Sequence, residues 1–190
     1  MESELRDLLH RHAAFWRGEG EAALECVSSY APLEDRGGIP LADGSCAADG
    51  QTITPPLLEP SSFYPDSPPD LIDGDFLNGL EPPGMCWTEA AVGCPVRIVT
   101  GGPWADRYVQ DLQALPLPRV DAVWLRKLDE FVDFLVALSA GKLPIVQPLF
   151  RGPIDMMAAA VGHGEMCLCF LEQRERAHRF LDACSEVFVE

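Results

Sequence analysis

The chain has 190 residues, 47% of them hydrophobic, which allows one domain with a real core and excludes wholesale disorder. Lys and Arg number 14 against 30 Asp and Glu, a formal charge of −16, so the surface repels phosphate backbones and anionic membranes, and neither is an expected partner. No stretch is long and apolar enough to span a bilayer, the charged opening MESELRDLLHRH has no signal-peptide core, and seven irregularly spaced cysteines suit free thiols, so the cytoplasm is the expected compartment.

Leu5, Leu8, Leu9, His12, Phe15 and Trp16 share one face of a helix, so an amphipathic helix opens the chain and ends near Gly18 and Gly20. His12 on that apolar face is expected to pack, not to react. The apolar run Ala22 to Val27 is a candidate strand. Residues 31–83 hold ten of the 17 prolines. Proline removes backbone donors and breaks helices and sheets, so a long irregular excursion with one or two short elements is expected there. The first 80 residues carry four basic and fifteen acidic groups, which makes this excursion acidic as well.

Order resumes at Met85. Pro95 to Val99 reads as a strand, and Gly101-Gly102-Pro103-Trp104 as a turn, too short for a phosphate loop. From Asp121 to Ala140 the pattern is helical: Trp124, Leu128, Phe131, Leu135 and Leu138 recur in steps of four and three, and Gly141 is placed to end the run. Leu143 to Leu149 reads as a buried strand. Pro153 suits the first turn of a helix, and Asp155 suits the positive end of its dipole, so Pro153 to Val161 should be helical and stop at Gly162-His163-Gly164. A last helix from about Glu172 places Ala177, Phe180, Leu181, Cys184, Val187 and Phe188 on one side.

This order is α/β, and parallel strands require crossovers of this kind. Residues 1–190 are expected to form a single domain without internal repeats. The final helix runs to Glu190 and should deliver the chain to a further strand, so a truncated domain is the expectation.

The segment Leu143 to Gly164, LPIVQPLFRGPIDMMAAAVGHG, resembles the mid-chain signature of the uroporphyrinogen decarboxylase superfamily, an apolar strand leading through a Phe-x-Gly-x-Pro-like turn into a helix closed by glycine. Met85 to Val96, MCWTEAAVGCPV, resembles the Trp-x-Glu-Ala-x-x-Gly-Cys-Pro pattern of a poorly characterised branch of that superfamily, and Arg11 to Gly20 and Phe170 to Phe188 fit the same branch. The resemblance implies a (β/α)8 barrel, of which this chain would supply about the N-terminal half, with an N-terminal helix and the proline-rich segment added. It also implies decarboxylase or corrinoid-linked methyltransferase chemistry on an anionic, thiol or tetrapyrrole-related substrate. Two departures disfavour porphyrinogen decarboxylation. The Met-Arg-Gln-Ala-Gly-Arg signature has no counterpart, and the family's helix tyrosine falls near Ala159. The methyltransferases' zinc ligands would lie in the missing C-terminal half, so no cofactor is expected in this chain.

Barrel sites sit at the C-terminal ends of strands. That places Gln147, Arg151 and Gly152 at the best candidate, with Asp155 in the helix that follows. Arg151 offers a planar fork for an anionic group, and the helix start adds free N–H groups. Glu89 and Trp104 flank the upstream strand and are expected to line the mouth, although a tryptophan is more often packing. These six are the substrate-binding candidates; no catalytic residue can be assigned. His163, Cys167 and Cys169 are zinc-capable, but their spacing matches no common motif, and no metal site is expected. Cys26, Cys46, Cys86, Cys94 and Cys184 show no partner in the sequence. The chain alone is expected to be inactive, completed by a second copy or by a complementing C-terminal half. The alternatives are a non-catalytic interaction module and an inactive fragment.

Overall fold

The structure, a computed structural model, describes residues 2–19, 38–64, 72–73, 76–77, 79–100, 102–118 and 120–189. The candidate strand at 22–27 and the side chain of His12 lie outside the described residues. The opening helix α1 spans Glu2–Trp16 and packs on β3, the second strand (Phe76–Leu77) of a small hairpin whose first strand, β2, is Ile72–Asp73. Leu8 is completely buried, while Leu9 and Phe15, expected on the same apolar face, are exposed.

The proline-rich excursion contributes far more to the core than its composition suggests. It holds strand β1 (Thr52–Ile53), a 3-10 turn (Pro55–Leu57) and the one-turn helix α2 (Pro60–Phe63). Both turns begin on a proline, where the missing N–H costs nothing. Ile39, Leu41, Ile53, Leu58, Phe63 and Tyr64 are all buried. Proline forbids long ladders, yet it does not prevent apolar side chains from packing.

The short helix α3 (Trp87–Ala91) follows, then strands β4 (Val96–Val99) and β5 (Gly102–Ala105). The sheet order is β1–β4–β5, antiparallel throughout, with Ile53 opposite Val96 and Arg97 opposite Trp104. Pro103 and Trp104, expected in a turn, therefore sit in a strand. β4 returns directly as β5, so a hairpin stands where a helical crossover was expected.

Helix α4 (Ala122–Ser139) starts at Asp121, whose side chain accepts from the Val123 N–H at 2.9 Å, and ends at Ala140 in a left-handed conformation. Trp124, Phe131 and Leu135 are buried on one face. The run 143–149 does not form the expected strand. It makes one isolated parallel bridge, Leu80 to Ile145, with the Leu80 N–H donating to Pro144 O and the Val146 N–H to Leu80 O. Pro144 and Pro148 have no N–H, so the ladder cannot extend. The approach is close: a Cβ on Gly79 would lie 2.7 Å from Val146 Cγ1.

Three helices complete the chain: α5 (Pro153–Val161), α6 (His163–Glu172) and α7 (Arg174–Val189). His163 and Gly164, expected to end α5, instead begin α6. Gly162 alone makes the break, at φ 99°, and the two helices meet at 103°. A Cβ at Gly162 would meet Glu165 Oε2 at 2.5 Å, a contact that the Glu165 side chain can relieve by moving, so the positive φ is what calls for glycine. No single helix among the described residues is long and apolar enough to cross a membrane.

Two apolar cores result. One gathers the sheet, the proline-rich segment and α4 around Trp87, whose ring meets Phe131 and Trp124 edge-on at 5.6 and 5.9 Å. The other gathers α5, α6 and α7 around Met156, Met157, Phe180 and Cys184. All five residues of α3 are buried, and the helix serves both: Trp87 and Ala90 face the first core, Ala91 the second.

Candidate functional site

A cleft of about 260 Å³ opens between the start of α3, strand β5 with the two residues after it, and the exposed side of α5. Its floor comes from α5, where Asp155, Ala158, Ala159 and Gly162 recur at helical spacing on one face. The alanines provide the room, because any larger side chain at these positions would fill the space.

The α3 wall is held tightly. Trp87 Nε1 donates to Pro83 O at 2.6 Å, and Cys86 Sγ lies 3.6 Å from Pro103 O as a weak donor, which ties the helix start to β5. Cys86 is left-handed (φ 55°) without being glycine, a conformation that costs roughly 1–2 kcal/mol. Burial, reinforced by the Glu89 carboxylate and opposed by Arg151, pushes its thiol up to about 11. At neutral pH Cys86 is thus a protonated thiol and not an activated nucleophile.

Glu89 is 1% exposed. Its Oε2 accepts from Thr88 Oγ1 at 3.0 Å, and the same hydroxyl accepts from the Arg151 backbone N–H at 3.2 Å. Oε1 lies 3.2 Å from Arg151 Nε, within ion-pair range. The N–H is not aligned for a hydrogen bond, so this oxygen has no hydrogen-bond donor. A buried carboxylate oxygen in that state is costly, and it belongs to a residue that lines the cleft. The Arg151 side chain is half exposed and its terminal nitrogens have no other partner among the described residues.

The remaining charges on the wall are already engaged. Asp106 is gripped by Arg97 through two bonds of 2.7 and 2.9 Å, which hold its carboxyl below the usual range, and Arg107 pairs with Glu165 at 2.7 Å. Trp104, 53% exposed, and the exposed His163 also line the cleft.

Of the residues singled out from sequence, Glu89, Trp104, Arg151 and Asp155 line this one cleft. Gly152 caps α5 without lining it, and Gln147 is exposed on the extended segment outside it. Cys86, Asp106 and Arg107 were not anticipated as lining residues. The alanines of α5 were not anticipated as lining residues either, though their spacing with Asp155 and Gly162 is visible in the sequence. His163, Cys167 and Cys169 do not converge: His163 and Cys167 are exposed, while Cys169 is buried in the second core. Among the described residues, no three His, Cys, Asp or Glu side chains form a group able to hold a metal.

A second, apolar groove of about 420 Å³ runs along the other face of α3, lined by Thr88, Leu125, Leu128, Phe150 and Val187 among others. Its polar members are Thr88, Arg126 and Asp129, and the rest of its lining is apolar. In comparisons with protein-family models, curated proteins and solved structures, nothing matches this chain.

Proposed function

We propose that the cleft between α3, β5 and α5 is a substrate site for a small polar molecule, with Glu89 and Arg151 contacting its polar groups and Trp104 its flat or apolar part. One observation carries the reading: Glu89 Oε1 is buried, lacks a donor and sits beside a half-exposed guanidinium. A bound molecule would supply the missing donor. The volume of about 260 Å³ suits a compact ligand.

The narrower reading is a uroporphyrinogen decarboxylase-like protein of the methyl-transfer or decarboxylation type, its barrel completed by another chain. It rests on the sequence motifs, with the parallel Leu80–Ile145 bridge as the one pairing of the expected sense among the described residues. Any zinc would come from the completing half. The test is ligand-dependent thermal stability of the full chain and of Ala159→Phe, which fills the cleft. Small polar compounds at a hundredfold excess over Kd should stabilise the wild type by about 2.7 kcal/mol and leave the variant unchanged. Equal stabilisation of both proteins would refute the site.

A second reading, an interaction module, is favoured by apolar side chains left in solvent: Leu149, Ile154, Leu168 and Leu171, with Leu171 81% exposed. Light scattering decides it. A monomer at all concentrations, alone and with the product of the adjacent open reading frame, removes this reading.

A further inference from the structure

The chemistry of the cleft wall also restricts the kind of molecule it can take; this step rests on the cleft being a ligand site. Glu89 Oε1 is an acceptor without a donor, and 3.2 Å away stands Arg151, a fork of N–H donors whose terminal nitrogens have no other partner among the described residues. An acceptor and a donor side by side are complemented by a ligand edge that carries a donor and an acceptor side by side.

Charge argues against a plain anion. A carboxylate or sulfonate drawn to Arg151 would lie within a few ångströms of the buried Glu89 carboxylate, whose like charge repels it. Arg107 cannot compensate, since Glu165 already holds it at 2.7 Å, and Asp155 adds a further negative charge to the floor. A plain cation would satisfy Glu89 and be repelled by Arg151. A neutral edge avoids both penalties.

The third feature is Trp104. It is half exposed and lines the cleft together with Ala158 and Ala159, whose small side chains keep the floor low. An exposed indole beside a shallow floor suits a flat ring that stacks on it. The volume of about 260 Å³ holds one small ring system.

We infer that the cleft binds a neutral planar heterocycle through a lactam-type edge, its N–H donating to Glu89 Oε1, its carbonyl accepting from Arg151, and its face on Trp104.

The test is calorimetric titration of the full chain with four probes: uracil, 1,3-dimethyluracil, succinate and 2-mercaptoethanesulfonate. Uracil is expected to bind, and the dimethyl compound, which has the same ring but no N–H, at least about tenfold more weakly. Trp104→Ala, a change at an exposed side chain, should weaken uracil by about tenfold or more while leaving the thermal midpoint unchanged. Glu89→Gln should weaken it severalfold. Binding of succinate or the thiol sulfonate without uracil would overturn the heterocycle and leave the cleft as a ligand site. Uracil binding insensitive to both substitutions would overturn the assignment of the edge and the stack. No binding by any of the four overturns the heterocycle outright. The cleft itself then stands or falls on the wider comparison of wild type with Ala159→Phe.

Discussion

Arg151→Met is the most direct probe of the cleft wall. The substitution keeps much of the side-chain length and removes the charge beside Glu89, whose carboxylate is 1% exposed. Breaking a fully buried ion pair from one side costs about 3–5 kcal/mol, because the surviving charge is left unpaired. An exposed pair contributes only about 0–1 kcal/mol. The Glu89–Arg151 pair lies between these limits: one partner is buried, the other is half exposed, and the 3.2 Å contact is not an aligned hydrogen bond. The expected loss is about 2 kcal/mol, or roughly 4–8 °C in thermal midpoint for a chain of this length. Urea denaturation of wild type, Arg151→Met, Glu89→Gln and the double variant measures it. Removing the Glu89 charge in the Arg151→Met background should recover about 1 kcal/mol or more, since the penalty resides in the stranded carboxylate. Additive losses in the double variant would refute the reasoning, and so would an Arg151→Met midpoint within about 1 °C of wild type.

Phe131→Ala should cost about 3–5 kcal/mol, because the ring is fully buried and meets both Phe63 and Trp87 edge-on at 5.1 and 5.6 Å; denaturant unfolding reads this. Asp106 is held below its ordinary 3.8 chiefly by the Arg97 hydrogen bonds. A depressed carboxyl stabilises the fold above that value and loses its contribution as the pH falls below it. Asp106→Asn should therefore flatten the stability profile on the acid side, below about pH 4, and an unchanged acid limb would contradict the pairing. The Cys86 thiol, pushed up to about 11, should alkylate with iodoacetamide far more slowly at pH 7.5 than exposed Cys167, and should accelerate as the pH approaches 11. Peptide mass spectrometry resolves the two sites, and equal rates at pH 7.5 would reject the half-buried, carboxylate-flanked thiol.

Elements whose signals are local could be read without the fold. The residues of α4 show four-and-three spacing and an aspartate cap, α5 begins on a proline, α7 has an apolar stripe, and β4 is a short β-branched run. Each depends on interactions within a few residues, so the sequence itself contains the cause. The strand β5 was not legible, because Gly102-Pro103 has the composition of a turn and becomes a strand only by pairing with β4. The run 143–149 failed in the opposite direction: it has a strand's composition, but two of its residues lack the N–H that a ladder needs.

The site divides along the same line. Its residue types stood out individually: a glutamate and a tryptophan near one strand, and an arginine and an aspartate around one helix start. Their convergence did not, since Thr88 and Arg151 are 63 positions apart and meet through a single hydroxyl. The orphaned oxygen of Glu89 is a property of geometry alone. Composition, charge and periodicity determined the acidic surface and most of the helices, because those follow from local physics. Tertiary packing decided that a proline-rich acidic stretch would supply core residues, that Gly162 would turn the chain through 103°, and that one carboxylate would be buried facing an arginine. These outcomes depend on which distant surfaces come into contact, and no window of neighbouring residues encodes that.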